Sequence, residues 1–236
     1  RHYADLPMVD GAIIGSAENI LPQIVEDGLR DSIKNLSTKE FSAKIEYFPC
    51  DFENAVINYD LLFRIEDHGG VSFLWSGDCP FANIRCFFCG RQRKGYGCRN
   101  PKIVWEEIKQ AYNLGKRKYY NTADTVATNA DNFHQFVLAK PDDIRGINMK
   151  CFVNAFQVNG NIAEDFKKLE CWPTIGIESL TRVQASEKGQ TNIEDNYNAL
   201  EVLAKHNLQM ILTFVIGLPG ETKNSLLADS NELINI

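Results

Sequence analysis

The sequence predicts an α/β fold built on a parallel sheet, and three observations support this prediction. From residue 71 onward, short apolar runs typical of buried strands alternate with amphipathic stretches of helical periodicity. Asparagine and proline mark the starts of helical stretches, and glycine marks an end. The alternation is typical of βαβ units, in which consecutive strands run parallel and a helix connects them.

Five strands are predicted in this region, because each run is rich in the β-branched and apolar residues that suit a buried sheet. They comprise residues 71–76, 118–122, 148–155, 174–178 and 209–217. The longest apolar stretch, within residues 209–218, falls well short of the roughly 20 residues that a membrane-spanning helix needs. We therefore expect no membrane association.

The helices between these strands are marked by their first residues. Asn100 is a suitable N-cap, and Pro101 takes the first helical position, where an N–H has no helical partner in any case. Residues 191–194 have the spacing of a capping box, which predicts a helix start there. The stripe predicted to be buried on that helix consists of Ile193, Tyr197, Leu200 and Ala204.

The first 70 residues lack the regular alternation of strand-like and helical stretches that the rest of the chain has. Residues 9–15 are typical of a short buried strand that runs into a glycine turn, and residues 19–28 have apolar residues at helical spacing. Residues 32–70 mix polar runs, a proline and a Gly-Gly breaker. We therefore predict a small α/β remnant and a linker over residues 1–70, followed by a second domain over residues 71–236.

Composition narrows the class of function. The chain has 236 residues, of which 44% are hydrophobic, so it can form a packed core. A net charge of −6 and a pI near 5.3 argue against a general nucleic-acid-binding surface, because phosphate contacts need concentrated positive charge. The basic cluster at residues 91–94 is local. The chain begins at Arg1 without a signal peptide, and we interpret it as a piece of a longer intracellular, cytoplasmic protein.

Cysteines carry the strongest chemical signal. The chain has 7, an odd number without a secretory signal, which favours metal or cluster binding over disulfides. Cys79, Cys86 and Cys89 come directly after the first strand of the regular region. The carboxyl ends of parallel strands are where α/β folds place active sites. These three thiolates are therefore the predicted metal ligands, and Cys98 is a candidate fourth.

The remaining cysteines have a simpler interpretation. Cys151 lies inside an apolar strand and Cys171 near a predicted helix end, so both are expected to be small buried hydrophobic residues. Cys50 gives no clear signal.

The segment Gly77-Asp-Cys-Pro, followed by Cys86-Phe-Phe-Cys89, resembles the cluster loop of the radical SAM enzymes. The resemblance implies a partial (β/α) barrel of TIM-like architecture and a 4Fe-4S cluster held by three cysteines. Three thiolates leave one iron open, and in that family the amino and carboxylate groups of S-adenosylmethionine occupy it. One electron then cleaves the sulfonium C–S bond and yields a 5'-deoxyadenosyl radical. The implied partners are an electron donor such as flavodoxin or ferredoxin and a substrate that the sequence does not identify.

Two later segments extend the resemblance. Residues 174–179 (TIGIES), with Arg182 after them, are similar to the fourth-strand segment of the family, and residues 213–222 (TFVIGLPGET) are similar to its fifth-strand segment. The three motifs fall at the ends of three predicted strands and in the order of the family. This joint placement is much more specific than any one of the motifs.

By the same resemblance, Phe88 approaches the adenine of S-adenosylmethionine, and Ile216 and Gly217 pass beneath it. Asp124 stands where the family usually has a Gly-Gly-Glu segment that receives the methionine amino group, so its role as acceptor competes with that of a turn-capping residue.

The resemblance implies three further contacts with S-adenosylmethionine, from residues at and after the end of the family's fourth strand. Glu178 and Ser179 are candidates for the ribose hydroxyls, and Arg182 is placed to pair with the methionine carboxylate. The alternative for Glu178 and Arg182 is a surface ion pair.

The cysteine spacing departs from the family pattern, and this leaves alternatives open. Six residues separate Cys79 from Cys86, where the family usually has three. A loop absorbs such an insertion at a small cost in closure entropy. A competing ligand set is Cys86, Cys89 and Cys98. A rival function is a closed zinc site made by all four thiolates in a non-enzymatic structural or interaction module. A third is an electron-transfer cluster protein that does not bind the sulfonium.

The start of the chain is similar, more weakly, to the segment that closes the cobalamin-binding domain in the cobalamin-associated branch of the family. Ser16-Ala17 departs from the usual Gly-Glu pair. The histidine loop that contacts cobalamin in that branch falls upstream of Arg1, so we expect cobalamin only in a longer protein. Whether the reaction is methyl transfer, rearrangement or sulfur insertion is not written in the sequence, and we do not expect this piece to turn over alone.

Overall fold

The computed structural model describes residues 7–13, 20–41, 56–62, 64–77, 79, 97–181, 192–217 and 220–235. The chain divides into two compact units, Arg1–Ala55 and Val56–Ile236. Residues 56–70, which the sequence analysis placed in a linker, fall in the second unit. Tyr59 is buried in its core, and the Tyr59 hydroxyl donates to the Ser72 carbonyl oxygen at 2.7 Å.

The first unit contains strand β1 (Gly11–Ile13), helix α1 (Leu21–Asp27) and strand β2 (Leu36–Thr38). The two strands pair antiparallel, with Ala12 opposite Ser37. The strand and the helix lie within the ranges that the sequence predicts for them. Gly28 follows α1 with a φ of 74°, a left-handed conformation that glycine adopts without steric cost.

The second unit is built on a sheet of five strands in the order β3-β4-β5-β6-β7, and every neighbouring pair is parallel. The strands are β3 (Val71–Phe73), β4 (Lys118–Asn121), β5 (Asn148–Asn154), β6 (Cys171–Glu178) and β7 (Ile211–Phe214). Strand order therefore follows chain order, as expected for successive βαβ units. The predicted α/β class and all five predicted strands are confirmed.

Helices connect these strands or follow the last one. They are α2 (Pro101–Asn113), α3 (Ala130–Leu138), α4 (Gly160–Lys168), α5 (Ile193–Lys205) and α6 (Lys223–Asn235). Helix α2 begins as predicted, since the Asn100 side chain accepts a hydrogen bond from the Lys102 N–H at 3.0 Å. Within the described part of the chain, no helix has the length and apolarity that crossing a bilayer requires.

One face of the sheet packs against the helices. Alternate strand residues such as Tyr119, Met149 and Ile175 are fully buried in the same cluster as helix residues. Phe136 of α3 stacks on Trp75 and Trp105, with ring centroids 4.6 and 5.0 Å away. The core therefore lies between sheet and helices and leaves the carboxyl ends of the strands as the edge from which loops emerge.

The two structural cysteines lie in this core. Cys151 and Cys171 are buried on neighbouring strands, and burial together with a hydrogen bond to Cys151 raises the pKa of the Cys171 thiol. Their prediction as small buried residues is confirmed, and Cys171 begins β6 three residues after α4 ends at Lys168. Strand β6 starts three residues earlier than predicted because β5 pairs with it from Cys171 onward. Pro173 is tolerated there because β7 pairs with β6 only from Thr174.

The buried face of α5 differs from the predicted stripe. Its buried residues are Asn196, Ala199, Leu200 and Leu203, whereas Ala204 is exposed. The helix is capped reciprocally by Asn192 and Asp195, so the capping box lies one residue later than predicted. The prediction was wrong because it counted only apolar residues, and Asn196 is a polar residue in a buried position.

Candidate functional site

The root of the cysteine loop is fixed at the carboxyl end of β3. Ser76 and Cys98 form an antiparallel bridge, and the Gly77 N–H donates to the Gly97 carbonyl oxygen at 2.9 Å. The two ends of the loop, Gly77 and Gly97, therefore lie side by side at the end of β3. The loop contains Cys79, which is partly buried; Cys86, Phe88 and Cys89 lie outside the described residues.

A buried ion pair anchors the returning end of this loop. The Arg99 guanidinium pairs with the Glu107 carboxylate of α2, and each side chain is 2% exposed. The Arg99 Nη1 also donates to the Leu74 carbonyl oxygen at 3.1 Å, and the Ile57 N–H donates to Glu107 at 2.5 Å. The hydrogen bonds offset the desolvation of the two charges, so the loop root has little freedom to move.

Cys98 belongs to this root. Its backbone pairs with Ser76, it packs against the core, and its Sγ accepts a hydrogen bond from the Asn132 Nδ2 of α3 at 3.7 Å. The backbone of Cys98 thus fixes the loop root, and the ligand set of Cys79, Cys86 and Cys89 stays a prediction.

The end of β4 is joined to the same root. The Asn121 Oδ1 accepts hydrogen bonds from the Trp75 N–H at 3.2 Å and the Ala123 N–H at 3.1 Å. The Ser76 Oγ donates to the Thr125 carbonyl oxygen at 3.2 Å. The segment that carries Asp124, which is partly buried, is therefore held directly beside the start of the cysteine loop.

Glu178 ends β6 in an unusual conformation. Its side chain and backbone are 8% exposed, its φ is 63°, and the pairing register with β7 shifts between Gly176 and Glu178. A left-handed conformation costs a residue with a Cβ roughly 1–2 kcal/mol, so the surroundings must impose it. The Val215 N–H donates to the Glu178 carbonyl oxygen at 3.3 Å, which places the end of β7 beside this turn.

Two buried side chains impose the turn. The Asn196 Nδ2 of α5 donates to the carbonyl oxygens of Ile177 at 3.0 Å and Ser179 at 3.1 Å. The Asp229 carboxylate of α6 accepts hydrogen bonds from the residues that follow, at 2.8–2.9 Å; the donors are the Ser179 Oγ, the Leu180 N–H, and the Thr181 N–H and Oγ1.

The Asp229 hydrogen bonds have an electrostatic consequence. Burial acts to raise the pKa of the Asp229 carboxyl, but the hydrogen bonds from residues 179–181 outweigh burial and lower it. Ser179 is buried, and its hydroxyl is engaged with Asp229. Ser179 thus anchors the turn from inside the protein, and the contacts of Glu178 and Ser179 with the ribose stay predictions.

The end of β7 combines an exposed apolar residue with an unusual glycine. Ile216 is 76% exposed, and Gly217 has a φ of 91°. The Gly217 N–H donates to the Glu221 Oε1 at 2.9 Å, which closes the turn. A Cβ on Gly217 would meet no atom of the described residues within 4 Å, so its positive φ is the reason that favours glycine here.

These elements assemble at one edge of the sheet. The structure brings together the root of the cysteine loop, Asp124, Glu178, Ile216 and Gly217 at the carboxyl ends of parallel strands, while Arg182 lies outside the described residues. Within the described residues no group of three metal-ligating side chains occurs, and two of the three predicted cysteines are not among those residues.

The side chains present fit the predicted cofactors. Thiolates are the ligands of iron–sulfur clusters, and carboxylates accept hydrogen bonds from ribose hydroxyls and an ammonium group. Ile216 is exposed among the described residues. Carboxylates also suit a cationic sulfonium. The sequence analysis did not identify Asn196 and Asp229. The signal that could have found them is a polar residue within the face of a helix that packs on the core.

Comparison with known proteins identifies the class. The sequence profile of the Radical SAM superfamily matches residues 77–232, which begin at the cysteine loop and end in α6. The chain belongs to the Radical SAM superfamily, and the resemblance that its motifs predict is confirmed.

Two named proteins are related to this chain at low sequence identity. A putative methylthiotransferase of Methanocaldococcus jannaschii is 25% identical over 96% of this chain and 53% of its own length. An anaerobic magnesium-protoporphyrin IX monomethyl ester cyclase of Cereibacter sphaeroides is 26% identical over 63% of this chain and 25% of its own length. The chain thus spans about half of the first relative and a quarter of the second.

Solved structures show the same fold. The radical S-adenosylmethionine methyltransferase TsrM of Kitasatospora setae, with tryptophan and the analogue aza-SAM bound, matches with a TM-score of 0.73 and 19% identity, over 96% of this chain and 49% of TsrM. TsrM with cobalamin and a [4Fe-4S] cluster matches with a TM-score of 0.75 and 18% identity, over the same shares. At these identities the likeness concerns the fold, and it confirms the predicted partial barrel class.

Proposed function

We propose that this chain is the cluster-binding and S-adenosylmethionine-binding part of a radical SAM enzyme. One observation carries the proposal: the root of the three-cysteine loop is bonded through Ser76 to the segment that bears Asp124, at the carboxyl edge that also bears Glu178 and Gly217. A cluster and a sulfonium must lie side by side for electron transfer, and this edge supplies thiolates and carboxylates together.

Each part of the edge has a role in the proposal. Cys79, Cys86 and Cys89 hold the cluster, which when bound supplies the single electron that cleaves the sulfonium C–S bond. Asp124 accepts from the methionine ammonium, and Arg182 pairs with the methionine carboxylate. Glu178 accepts from the ribose hydroxyls.

The adenine lies between two apolar elements in this proposal. Phe88 approaches it from the cysteine loop, and the exposed Ile216 with the backbone of Gly217 supports it from the end of β7. Covering Ile216 removes apolar surface from water, which favours binding of a flat ring.

We propose methyl or methylthio transfer as the class of the reaction. A relative along nearly the whole chain is named a methylthiotransferase, and the protein of similar fold is named a methyltransferase. In the full-length protein, transfer of label from the S-methyl group of S-adenosylmethionine to product tests this class. Formation of 5'-deoxyadenosine without methyl transfer to product contradicts it.

Partners and location follow as proposals. Cluster chemistry requires an electron donor, for which flavodoxin or ferredoxin is suited, and a reducing compartment such as the cytoplasm. Cobalamin is proposed for a longer protein, on the resemblance of the first residues to the cobalamin-associated branch. No residue of the present chain is assigned to cobalamin.

Anaerobic reconstitution with iron and sulfide tests the central proposal. We expect a brown protein with about four iron and four sulfide per chain. Substitution of Cys79, Cys86 or Cys89 by Ala is expected to abolish the cluster. Cys98→Ala is the matched control, because Cys98 packs at the loop root, and it is expected to keep the cluster. A colourless protein that binds one zinc and needs all four cysteines would support the structural module instead.

A further inference from the structure

The Glu178 turn is held from both sides by groups of different chemistry. Asn196 donates to the carbonyl oxygens just before and just after Glu178, and Asp229 accepts from the N–H and hydroxyl groups of the next residues. Asn196 is 3% exposed and Asp229 7% exposed, so water competes little for these bonds. We call this pair of side chains the turn clamp.

The bonding pattern of the turn clamp is specific to one backbone conformation. In an extended strand the Ile177 and Ser179 carbonyl oxygens would lie about 6.6–7 Å apart, which is farther than one Nδ2 can span with hydrogen bonds of 3.0 and 3.1 Å. With Glu178 at a φ of 63°, they converge on the Asn196 Nδ2. The clamp therefore offsets the cost of the left-handed conformation and selects the direction of the Glu178 side chain.

Helix α6 also links this turn to the next strand end. Glu221 closes the turn at Gly217, Thr222 caps the helix by accepting from the Ser225 N–H at 3.2 Å, and Asp229 lies further along the same helix. Asp229 is the buried residue of α6 among those described. The Asp229 carboxylate, in the middle of α6, therefore joins this helix to the Glu178 turn.

We propose that Asn196 and Asp229 are positioning residues that hold Glu178 in the orientation in which it binds the ribose of S-adenosylmethionine. The inference rests on the proposed function, in which Glu178 accepts from the ribose hydroxyls. In this inference the turn clamp touches no ligand itself and acts through Glu178. Asn196 bonds to the carbonyl oxygens on either side of Glu178, and Asp229 bonds to the hydroxyl and N–H groups of residues 179–181.

The test uses a ligand that is not cleaved. The cluster-loaded chain is equilibrated by dialysis with S-adenosylhomocysteine and, separately, with its 2'-deoxy analogue, and the ratio of the two affinities measures the ribose contact. We expect the unaltered chain to prefer the hydroxylated ligand about tenfold, and Glu178→Gln to reduce the ratio to about two. Asp229→Asn and Asn196→Leu are expected to reduce the ratio to about two or three as well.

A double-substitution cycle shows whether the turn clamp acts through Glu178. In the Glu178→Gln background, Asp229→Asn is expected to change the ratio by less than about twofold. A role in stability alone would weaken both ligands equally and leave the ratio of the single variant at the unaltered value. That result would overturn the inference.

Glu232→Ala is the matched control. Glu232 lies on α6 near Asp229 and accepts from the Tyr197 hydroxyl of α5 at 2.9 Å, so its loss removes a bond between the same two helices without touching the turn. It is expected to keep the ratio near ten. If Asp229→Asn does not fold, Thr181→Val removes one hydroxyl donor to Asp229 and is expected to lower the ratio about twofold; an unchanged ratio there counts against the inference.

Different results would contradict the ribose role of Glu178 and the positioning role of the turn clamp. If the unaltered chain shows no preference for the hydroxylated ligand, or Glu178→Gln leaves the preference intact, the ribose role of Glu178 is wrong. If Glu178→Gln removes the preference and the clamp variants keep it, Glu178 binds ribose but the turn clamp does not position it.

Discussion

The cysteine loop and the Glu178 turn are both fixed at the carboxyl edge of the sheet, but by different means. The loop is held at its root, where a backbone bridge and the buried Arg99–Glu107 ion pair close a long excursion. The turn is held residue by residue, by an amide and a carboxylate that bond to successive backbone groups. Closing a long loop requires only a fixed base, whereas orienting a single side chain requires a defined backbone conformation.

The largest effect is expected at the loop root. Arg99→Met leaves the Glu107 carboxylate buried without its partner, which is expected to lower the free energy of unfolding by about 3–5 kcal/mol. Denaturant titration measures the change. The double variant Arg99→Met/Glu107→Leu is expected to regain most of the loss, because no unpaired charge then remains. Lys205→Gln, which removes an exposed ion pair with Glu201 on α5, serves as control and is expected to have little effect. Equal losses from the single and the double variant would show that packing and not charge anchors the root.

A smaller and pH-dependent effect is expected at the turn. Asp229→Asn is expected to lower the free energy of unfolding by about 2 kcal/mol at pH 7, since a carboxylate that accepts several hydrogen bonds is replaced. The pKa of Asp229 is lowered in the folded chain, so its contribution is full above the unfolded pKa of about 3.9 and is lost as the pH falls through the folded pKa.

Denaturant titrations at several pH values check this sign. The difference between the unaltered chain and Asp229→Asn is expected to stay constant from about pH 7 to pH 5 and to shrink below about pH 4. A difference that grows on acidification would mean that Asp229 is not ionised in the folded chain.

The smallest effect is expected at the end of β7. Gly217→Ala is expected to cost about 1 kcal/mol of unfolding free energy, because its φ of 91° disfavours a Cβ although that atom would meet none of the described residues within 4 Å. Gly160→Ala is the control, since Gly160 starts α4 without a positive φ and with no atom within 4 Å of a Cβ. That variant is expected to be neutral or stabilising by up to about 1 kcal/mol. Equal behaviour of the two variants would contradict the conformational argument.

The motifs at strand ends were predictable because their chemistry is local. Gly77, Cys79 and Pro80 stand together in the chain, as do Glu178 and Ser179, and each group follows an apolar run whose strand character is confirmed. The buried face of α5 and the hydrogen bonding of Ser179 were not predictable in the same way. The first includes Asn196 and the second involves Asp229, and these residues lie 17 and 50 residues from Ser179 along the chain.

The sequence by itself determined the α/β class, the five parallel strands and the family, because hydrophobic periodicity and short motifs are read from neighbouring residues. The tertiary structure alone decided that Cys98 belongs to the loop root, that Ser179 faces into the protein, and that two polar helix residues impose the conformation of Glu178. Buried hydrogen bonds join residues that are distant in the chain, and their partners are set by how helices pack on the sheet, which no local pattern encodes.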